Sequence, residues 1–330
     1  MQTPTIPFTD KSRHLLAYLP WRTILEWRIA EAEAGGTGNG SHLHPYIYAH
    51  RSGNVSEYLR EGDVIWLFTL PYYGRYASLP SLYAMLVVED KADQAEAPDG
   101  SRHARVPHYL KEAGGPKLWR YVFFGNRKHS RYFPINNFSG LLRPMLPEEA
   151  ARRLASAPPN GYGFLGMIFQ QPREITPQEG ALCFEFQQRL QERKTWFLSY
   201  RPQGEGEGVR KMAEELLGAG FTCRVGLNRE AGSMPKAAGE RLDMGLLSAV
   251  ASCDGLLALE SEAYWQSYQA GLEYGAARAL LDEQPGFRFL EAPAASLNAK
   301  EERRRLVEKA GRFGEYEEEL EEKRSSDGVR

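Results

Sequence analysis

The segment TWFLSYRPQGEGEGVRKMAEELLGAGFTCRV (residues 195–225) places two short apolar runs on either side of an amphipathic stretch. The apolar runs predict strands at 196–200 and 221–225, because aromatic and β-branched residues are enriched in them. The stretch between them has the apolar spacing of a helix over 209–217, which Gly218 and Gly220 would end. A strand, a helix and a second strand in this order predict two parallel strands joined by a helical crossover.

The same alternation continues along the chain after this segment. A helix over 240–251, a strand over 255–259, a helix over 266–281 and a short strand over 287–290 follow in turn. This half therefore predicts an α/β domain with a parallel sheet, whose ligands are expected at the carboxyl ends of the strands. A charged helix over 300–323 is expected to follow the last strand.

Three ordered blocks of this half resemble the TIR domain, the fold named after Toll and interleukin receptors. They are TWFLSYRP with GFTCRV (195–202 and 220–225), RLDMGLLSAVASCDGLLALES (241–261) and YWQSYQAGLEYGAA (264–277). The resemblance covers about residues 195–292 and implies a flavodoxin-like parallel sheet. In the third block, Ser267 and Glu273 match the family's spacing between a serine and its catalytic glutamate. Gln269 and Ala270 stand where the family usually has a Trp-Cys pair.

The TIR resemblance implies cleavage of the bond between nicotinamide and ribose in NAD, with Glu273 as the catalytic carboxylate. Breaking this bond places positive charge on the ribose, and a carboxylate beside C1′ stabilises that charge. NAD is then the substrate, and no separate cofactor is expected. Hydrogen bonds, a charged contact and aromatic stacking are the expected modes of NAD binding. The residues expected to provide them are Ser199, Tyr200, Arg201, Tyr264, Trp265 and Ser267.

Three alternatives for Glu273 stay open. On composition alone, a glutamate in an alanine-rich helix is a solvent-facing residue. The string LEYGAARAL (272–280) also resembles nucleoside deoxyribosyltransferases, in which a glutamate before a Gly-Ala-rich helix attacks a deoxyribose. In the third alternative, the TIR-like domain is a non-catalytic adaptor, Glu273 has no catalytic role, and the loop over 226–239 is the interface with other TIR domains.

The first half of the chain predicts a small, mostly antiparallel β domain. Strands are expected at 63–70, 82–88, 118–124 and 163–169, and helices at 21–34 and near 147–155. The runs REGDVIWLFTLP (60–71) and LYAMLVVED (82–90) resemble PUA-like β-barrels, a group that includes the EVE, ASCH and YTH domains. That resemblance implies a small α+β barrel with an aromatic-lined pocket for a base, often a modified one.

A basic, aromatic stretch lies between Ser101 and Met145, with nine Lys and Arg residues and one acid, Glu112. Cations neutralise phosphates, and aromatic rings interleaved with them stack on unpaired bases. An aromatic β core with a solvated basic rim is the alternative interpretation. The residues expected to bind nucleic acid or a nucleotide are Trp66, Trp119, Arg120, Tyr121, Arg127, Lys128, Arg131 and Tyr132.

Length and composition predict two domains, at 1–190 and 191–330. The chain has 330 residues, of which 42% are hydrophobic and 25% charged, and this is long for a single core. Its three cysteines are too few for a disulfide framework, and no apolar run approaches the roughly 20 residues of a membrane span. A cytoplasmic protein without membrane contact is therefore expected. His42, His44 and His50 lack partnering cysteines or carboxylates, so no metal site is predicted.

These patterns together predict an NAD-consuming effector, either a glycohydrolase or a cyclase, under the control of an N-terminal sensor of nucleic acid or nucleotide. Cellular or anti-phage defence is the expected context. A homo-oligomer is expected, because enzymes of the TIR family often complete their site with a loop from a neighbour. The helical segment ALCFEFQQRLQERK (181–194) is expected to connect the two domains.

Overall fold

The computed structural model of this chain describes residues 12–33, 47–50, 58–73, 76–93, 121–156, 161–201, 206–226, 236–284 and 286–312. These residues divide into two compact units. Those within 1–72, 77–192 and 230–245 form the first unit, and those within 73–76, 193–229 and 246–330 form the second. None of the described helices is long and apolar enough to cross a membrane.

Short strands and short helices make up the described chain as far as Gln191. The strands are β1 (His14–Tyr18), β2 (Ile47–His50), β3 (Val64–Thr69), β4 (Tyr72–Tyr73), β5 (Tyr76–Ala77), β6 (Ser81–Asp93), β7 (Tyr121–Gly125), β8 (Arg131–Tyr132) and β9 (Arg173–Ile175). The helices are α1 (Trp21–Glu33), α2 (Ser139–Leu142), α3 (Glu148–Ser156), α4 (Phe164–Ile168) and α5 (Pro177–Gln191).

One sheet organises the first unit, with the strand order β2-β7-β6-β3-β1-β9 and with β8 paired to β6. Each described pairing in it is antiparallel except that of β1 with β3, where Leu16 lies opposite Trp66. The described strands form an open order that ends at β2 and β9. Every side chain of β3 is buried, so this strand runs through the centre of the unit.

The predicted strand at 163–169 is wrong, because this segment is helical. A short 3-10 helix (Gly161–Gly163) leads directly into α4. Phe164, Leu165 and Phe169 are buried, whereas Met167 and Ile168 are exposed. Burial at positions i, i+1 and i+5 is typical of one helix face, whereas a strand would bury alternate residues. A short apolar run does not distinguish the two patterns without its tertiary partner.

The other predictions for this half agree more closely with the structure. The helices predicted at 21–34 and 147–155 are α1 and α3, and the predicted connecting helix is α5. Thr176 and Glu179 form a reciprocal capping box that fixes the start of α5. The predicted strand at 118–124 is described only from Tyr121, and residues 118–120 lie outside the described part of the chain.

The second unit is built on a parallel sheet, as the strand-helix alternation predicted. Its strands are β10 (Thr195–Ser199), β11 (Thr222–Val225), β12 (Gly255–Glu260) and β13 (Arg288–Pro293). The helices from residue 206 onward are α6 (Gly206–Gly218), α7 (Lys236–Ala251), α8 (Glu262–Trp265), α9 (Tyr268–Glu283) and α10 (Lys300–Gly311). The sheet order is β11-β10-β12-β13 and every pairing is parallel, which is compatible with a flavodoxin-like arrangement.

This strand order creates a switch point between β10 and β12. The chain leaves β10 toward β11 on one side, whereas β12 lies on the other side of β10 and continues to β13. Crevices at such points, outside the carboxyl ends of the strands, are where open α/β sheets bind ligands. The residues that follow β10, β11 and β12 are therefore the candidates for ligand contact.

The charged helix predicted after the last strand is α10, described as far as Gly311. Arg303 anchors it, because this buried guanidinium donates from Nε to Glu215 at 2.7 Å and from Nη1 to the Leu297 carbonyl at 2.6 Å. Leu306 and Ala310 are buried on the same helix. One buried arginine and a narrow apolar stripe thus attach a helix whose sequence is mostly charged.

Candidate active site

Glu273 lies at the carboxyl edge of the parallel sheet and is only 1% exposed. It is on α9, whose first turn is capped by Ser267: the hydroxyl accepts the N–H of Ala270. The cap places Glu273 in the second turn of the helix. A carboxylate so deeply buried is uncommon unless it is paired or functional.

The end of β10 supplies the first partner of this carboxylate. Ser199, the last residue of β10, donates a hydrogen bond from Oγ to Glu273 Oε2. Two residues later, Arg201 places Nη1 3.8 Å from the same oxygen. The other oxygen, Oε1, is buried and has no hydrogen-bond partner among the described residues. Glu273 therefore presents one oxygen that accepts a hydrogen bond and one that has no partner of hydrogen-bond geometry among the described residues, with the Gln269 amide close to the carboxyl group.

Arg201 is held in place by two further hydrogen bonds. Its Nε donates to Ser267 Oγ at 2.5 Å, and its Nη1 donates to the Tyr200 carbonyl at 2.7 Å. Its Nη2 is buried and has no partner within the described chain. The Ser267 hydroxyl thus accepts hydrogen bonds both from the first turn of α9 and from Arg201, and it links the guanidinium to the start of that helix.

The segment after β12 supplies a third group. The Tyr264 hydroxyl lies 3.0 Å from Ser199 Oγ, and the tyrosine side chain is fully buried. Ser261 caps α8 by accepting the Tyr264 N–H at 3.2 Å, which fixes the backbone there. Tyr264, Ser199 and Glu273 therefore stand in one hydrogen-bonded row, although Ser199 is far from the other two in sequence.

Burial and charge oppose each other at Glu273. Burial raises the pKa of its carboxyl group to about 7, against the opposing effects of Arg201, the Ser199 hydrogen bond and the Gln269 amide. Both protonation states are therefore populated near neutral pH. A carboxyl group poised in this way is typical of catalytic sites, and structural ion pairs also produce such shifts.

The structure brings five of the predicted NAD-site residues together around Glu273 or directly beside it. Ser199, Arg201, Tyr264 and Ser267 form the hydrogen-bonded cluster just described. Trp265 is 56% exposed, with its ring edge-on to Tyr264 at 5.3 Å and to Tyr274 at 5.1 Å between ring centroids. It is an aromatic ring that solvent reaches at the border of the cluster.

Tyr200 has a different environment. Its side chain is buried, and its ring packs against Tyr73 with 5.9 Å between centroids. The contribution of Tyr200 to the cluster is its carbonyl, which accepts from Arg201. Tyr73 belongs to the same compact unit, so this aromatic pair is part of the core of that unit.

The sequence did not single out Gly226, the residue directly after β11. A Cβ built on Gly226 would overlap Glu273 Oε1 and lie 2.9 Å from Gln269 Nε2. Only a residue without a side chain leaves room for the carboxyl group here. A glycine at the carboxyl end of a predicted parallel strand is the signal that would have indicated this position.

In the first unit, Trp66 lies in the core. Its side chain is 0% exposed, and its indole Nε1 donates to His14 Nδ1 at 3.2 Å. Tyr121 is also buried, whereas Tyr132 is partly exposed and its ring lies 5.2 Å from that of Tyr83. Trp119 and Arg120 lie outside the described residues. The structure thus does not bring Trp66 and Tyr132 to one surface.

Three of the four predicted cations lie close together in the chain at one short turn, and the fourth, Arg120, lies outside the described residues. Arg127 and Lys128 are exposed in the turn between β7 and β8, and Arg131 is exposed at its end. Asn126 Oδ1 accepts the Lys128 N–H at 2.9 Å, and Ser130 Oγ accepts the Val87 N–H at 3.0 Å. These bonds hold the turn against β6, so its cations sit on a fixed support next to Tyr132.

Metal-ligating residues do not cluster in the described part of the chain. No group of three His, Cys, Asp or Glu residues there could hold a metal ion. His42 and His44 fall outside the described residues, so the structure adds nothing about them.

Comparisons of this chain with protein-family models, with curated proteins and with solved structures found no match. Its function has to be inferred from the chemistry of the two sites described above.

Proposed function

We propose that this chain cleaves the N-glycosidic bond of NAD, as a glycohydrolase or a cyclase, with Glu273 as the catalytic carboxylate. The observation that carries the proposal is the position of Glu273, buried at the switch point of a parallel sheet with one oxygen hydrogen-bonded and one oxygen without a hydrogen-bond partner among the described residues. The resemblance of residues 195–292 to TIR domains points to the same residue.

In the proposed reaction, the bond between ribose C1′ and the nicotinamide nitrogen breaks, and its electron pair leaves with nicotinamide. The leaving group becomes neutral, so no acid is needed to protonate it. The ionised Glu273 stabilises the oxocarbenium-like ribose or bonds to C1′. Water then bonds to C1′ and releases a proton, giving ADP-ribose; where Glu273 had bonded to C1′, that bond breaks and Glu273 leaves as the carboxylate. In a cyclase, a nucleophile within the same molecule replaces water.

Arg201 and Trp265 are the residues proposed to hold the rest of the substrate. The unpartnered Nη2 of Arg201 is a donor suited to the pyrophosphate or to a ribose hydroxyl. The exposed face of Trp265 offers a stacking surface for a base. Since Glu273 itself is covered, groups around it must move before NAD reaches it.

Self-assembly is the proposed cause of that movement. The TIR resemblance implies a homo-oligomer in which a neighbour completes the site, so NAD cleavage per molecule should rise with protein concentration. Constant specific activity across a wide dilution series, at unchanged molecular mass, would contradict this part of the proposal. We place the protein in a defence role on the same resemblance, and in the cytoplasm because it has only three cysteines and no apolar run of membrane-spanning length.

Release of nicotinamide from NAD tests the main proposal. Glu273→Gln should lower turnover by roughly 10²- to 10³-fold, because a charge aimed at the transition state is lost. Glu283→Gln, an exposed glutamate on the same helix, is the matched control and should retain activity. Wild-type protein that releases no nicotinamide at any concentration would favour the adaptor alternative.

The same assay separates the deoxyribosyltransferase alternative. Incubation with a deoxynucleoside and a second free base would then give base exchange that depends on Glu273, while NAD would stay intact. Glu273 serves both chemistries, so only the substrate distinguishes them.

The first unit is proposed to bind nucleic acid or a nucleotide and to control the NAD reaction. Three exposed cations, Arg127, Lys128 and Arg131, stand on the turn that leads into β8, and the partly exposed ring of Tyr132, the next residue of β8, packs against the ring of Tyr83. Cations for phosphates and rings for unpaired bases are the combination that single-stranded nucleic acid needs. Binding of a labelled oligonucleotide tests this proposal.

A further inference from the structure

A row of three buried groups leads to the catalytic carboxylate. Tyr264 OH lies 3.0 Å from Ser199 Oγ, and Ser199 Oγ donates to Glu273 Oε2. All three side chains are at most 1% exposed, so bulk water does not compete for these bonds. The row joins the end of β10, the segment after β12 and the middle of α9.

The protons in this row can be assigned by counting. A serine hydroxyl has one proton and two acceptor lone pairs. Because Ser199 donates its only hydroxyl proton to the carboxylate, Tyr264 must be the donor in the bond between Tyr264 and Ser199. Burial raises the pKa of the Tyr264 phenol well above its ordinary value, so the phenol keeps this proton at neutral pH. Two hydroxyls thus point the same way, toward Glu273.

This polarity is most favourable when the carboxyl group is ionised. With Glu273 ionised, both hydroxyls donate toward it and reinforce each other. With a proton on Oε2, Glu273 must donate to Ser199, which then has to turn its own proton toward the Tyr264 oxygen. With the proton on Oε1 instead, the row keeps its direction, but Ser199 then donates to a neutral carbonyl oxygen, which is a weaker acceptor than a carboxylate. Tyr264 favours the ionised state without touching the carboxyl group.

We propose that Tyr264 is a positioning residue, which acts through Ser199 to hold Glu273 ionised and to keep Oε2 occupied, so that Oε1 is the oxygen that meets the ribose. The sequence had assigned Tyr264 and Ser199 to direct contact with NAD. The geometry assigns them to Glu273 instead. This role rests on the proposed function, because it concerns the ionised carboxylate that glycosidic-bond cleavage requires.

Other groups around the row also influence its charge. Arg201, after β10, attracts the Glu273 carboxylate and lies with its guanidinium 6.0 Å from the Tyr264 ring centre. The Gln269 amide on α9 favours the charged carboxylate, and Glu260 at the end of β12 disfavours an ionised phenol. None of these groups replaces the donor that Tyr264 supplies to Ser199.

Tyr264→Phe tests the proposal, because it keeps the buried ring and removes only the donor. The expected result is a shift of the acid limb of the kcat–pH profile to higher pH, by about 0.5 to 1 unit. KM for NAD should stay unchanged, since Tyr264 does not touch the substrate. An increase in KM with an unshifted pH profile would show direct substrate contact and would overturn the proposal.

Tyr274→Phe is the matched control. Tyr274 follows Glu273 on α9, and its hydroxyl donates to a different carboxylate, Glu291, at 2.5 Å. Its removal should leave the acid limb where it is. An equal shift of the acid limb in Tyr274→Phe would mean that the loss of any nearby tyrosine hydroxyl moves the pH profile. The specific role proposed for Tyr264 would then be wrong.

A double-mutant cycle shows whether Tyr264 acts through Ser199. Ser199→Ala should itself raise the pH of the acid limb, and Tyr264→Phe should add nothing in that background. Additive shifts would show that Tyr264 acts on the carboxyl group independently of Ser199, which would contradict the proposal. Should Tyr264→Phe not fold, Ser199→Ala alone still decides, because an unshifted limb in that variant removes the link to the carboxyl group.

A measurement without turnover separates this proposal from the proposed function. Carboxyl ¹³C resonances of Glu273, assigned by their loss in Glu273→Gln, give its titration midpoint in full-length protein without NAD. A titration midpoint of Glu273 that is raised by Tyr264→Phe supports the positioning role of Tyr264, even if the wild type cleaves no NAD. In that case only the proposed function fails. An unchanged midpoint overturns the positioning role whatever the activity.

Discussion

The backbone of Gly226 lies against the carboxyl group of Glu273, so closely that a Cβ at 226 would overlap Oε1. Gly226 directly follows β11, and Glu273 lies in the second turn of α9. Oε1 is also the oxygen that has no hydrogen-bond partner among the described residues. The glycine therefore provides the space in which this oxygen of the proposed catalytic group lies.

Gly226→Ala should lower NAD cleavage while leaving stability nearly unchanged. The atoms that a new methyl group would meet are the ends of the Glu273 and Gln269 side chains, which can move, so the fold tolerates the change. A displaced carboxylate should lower turnover by about 10- to 100-fold. Nicotinamide release and thermal unfolding measure the two effects.

Gly275→Ala on α9 is the control for that prediction. Nothing lies within 4 Å of a Cβ at this position, and alanine favours a helix over glycine by roughly 0.5–1 kcal/mol. This variant should be slightly more stable and fully active. If Gly226→Ala also keeps full activity, Glu273 does not need its present position.

Glu273→Gln should stabilise the protein at pH 8 but not at pH 5. The folded-state pKa of Glu273, about 7, lies above its ordinary value of 4.5, so the folded chain binds more protons in this window and loses stability as pH rises through it. A neutral amide avoids that loss, by an amount of up to ~3 kcal/mol. Unfolding curves at both pH values measure the difference. The same gain at pH 5 would show that the carboxyl group is not the cause.

Lowering the pH below about 6.5 should destabilise the first unit through His14. Burial lowers the pKa of this histidine, so the folded state takes up its proton less readily than the unfolded chain, and stability falls as pH drops. Protonation would also remove the Nδ1 lone pair that accepts from Trp66. The melting temperature should be lower at pH 5.5 than at pH 7.5 when it is measured in the Glu273→Gln background, because the Glu273 carboxyl group otherwise titrates with the opposite effect over this range.

Two variants identify the histidine responsible. His14→Gln should reduce the drop in melting temperature, because it removes the titrating group. His129→Gln, in the exposed turn after β7, should leave the drop unchanged. Equal behaviour of the two variants would assign the pH dependence to another group.

Charge reversal in the basic turn should weaken binding of a labelled single-stranded oligonucleotide. In wild type, log K should fall with log salt at about −0.7 per neutralised phosphate. Arg127→Glu with Lys128→Glu should make that slope shallower without unfolding the domain. Arg304→Glu with Arg305→Glu applies the same charge change to exposed positions of α10 and should have a smaller effect. Affinity that does not depend on salt would argue for an uncharged ligand.

If the first unit controls the second, the oligonucleotide should change the rate of NAD cleavage. The Arg127→Glu, Lys128→Glu variant should keep basal cleavage and lose the response. Coupling of two binding events is reciprocal, so NAD bound to Glu273→Gln should change oligonucleotide affinity by the factor with which the oligonucleotide changes NAD affinity. Binding titrations with each ligand held at saturation measure both factors. Equal affinities in every combination would show that the two sites are independent.

Local patterns in the sequence were sufficient for most elements of the second unit. Apolar runs of four or five residues next to amphipathic stretches predicted β10 to β13 and the helices α6, α7 and α9, whereas the one-turn helix α8 was not predicted. The segment 163–169, which contains α4, was mispredicted as a strand because a short apolar run has no periodicity that distinguishes a strand from a helix. Trp66 was expected in a pocket, but aromatic content alone does not tell a core ring from a ligand-binding ring.

The sequence by itself determined the parallel α/β unit and singled out Glu273, because both depend on residues close together in the chain. Tertiary structure alone decided what surrounds that glutamate. Ser199 lies 74 residues from Glu273 and 65 from Tyr264 along the chain, and no local pattern links them. They meet because the order β11-β10-β12 brings the carboxyl ends of three strands to one edge, and burial at that edge shifts the pKa of Glu273.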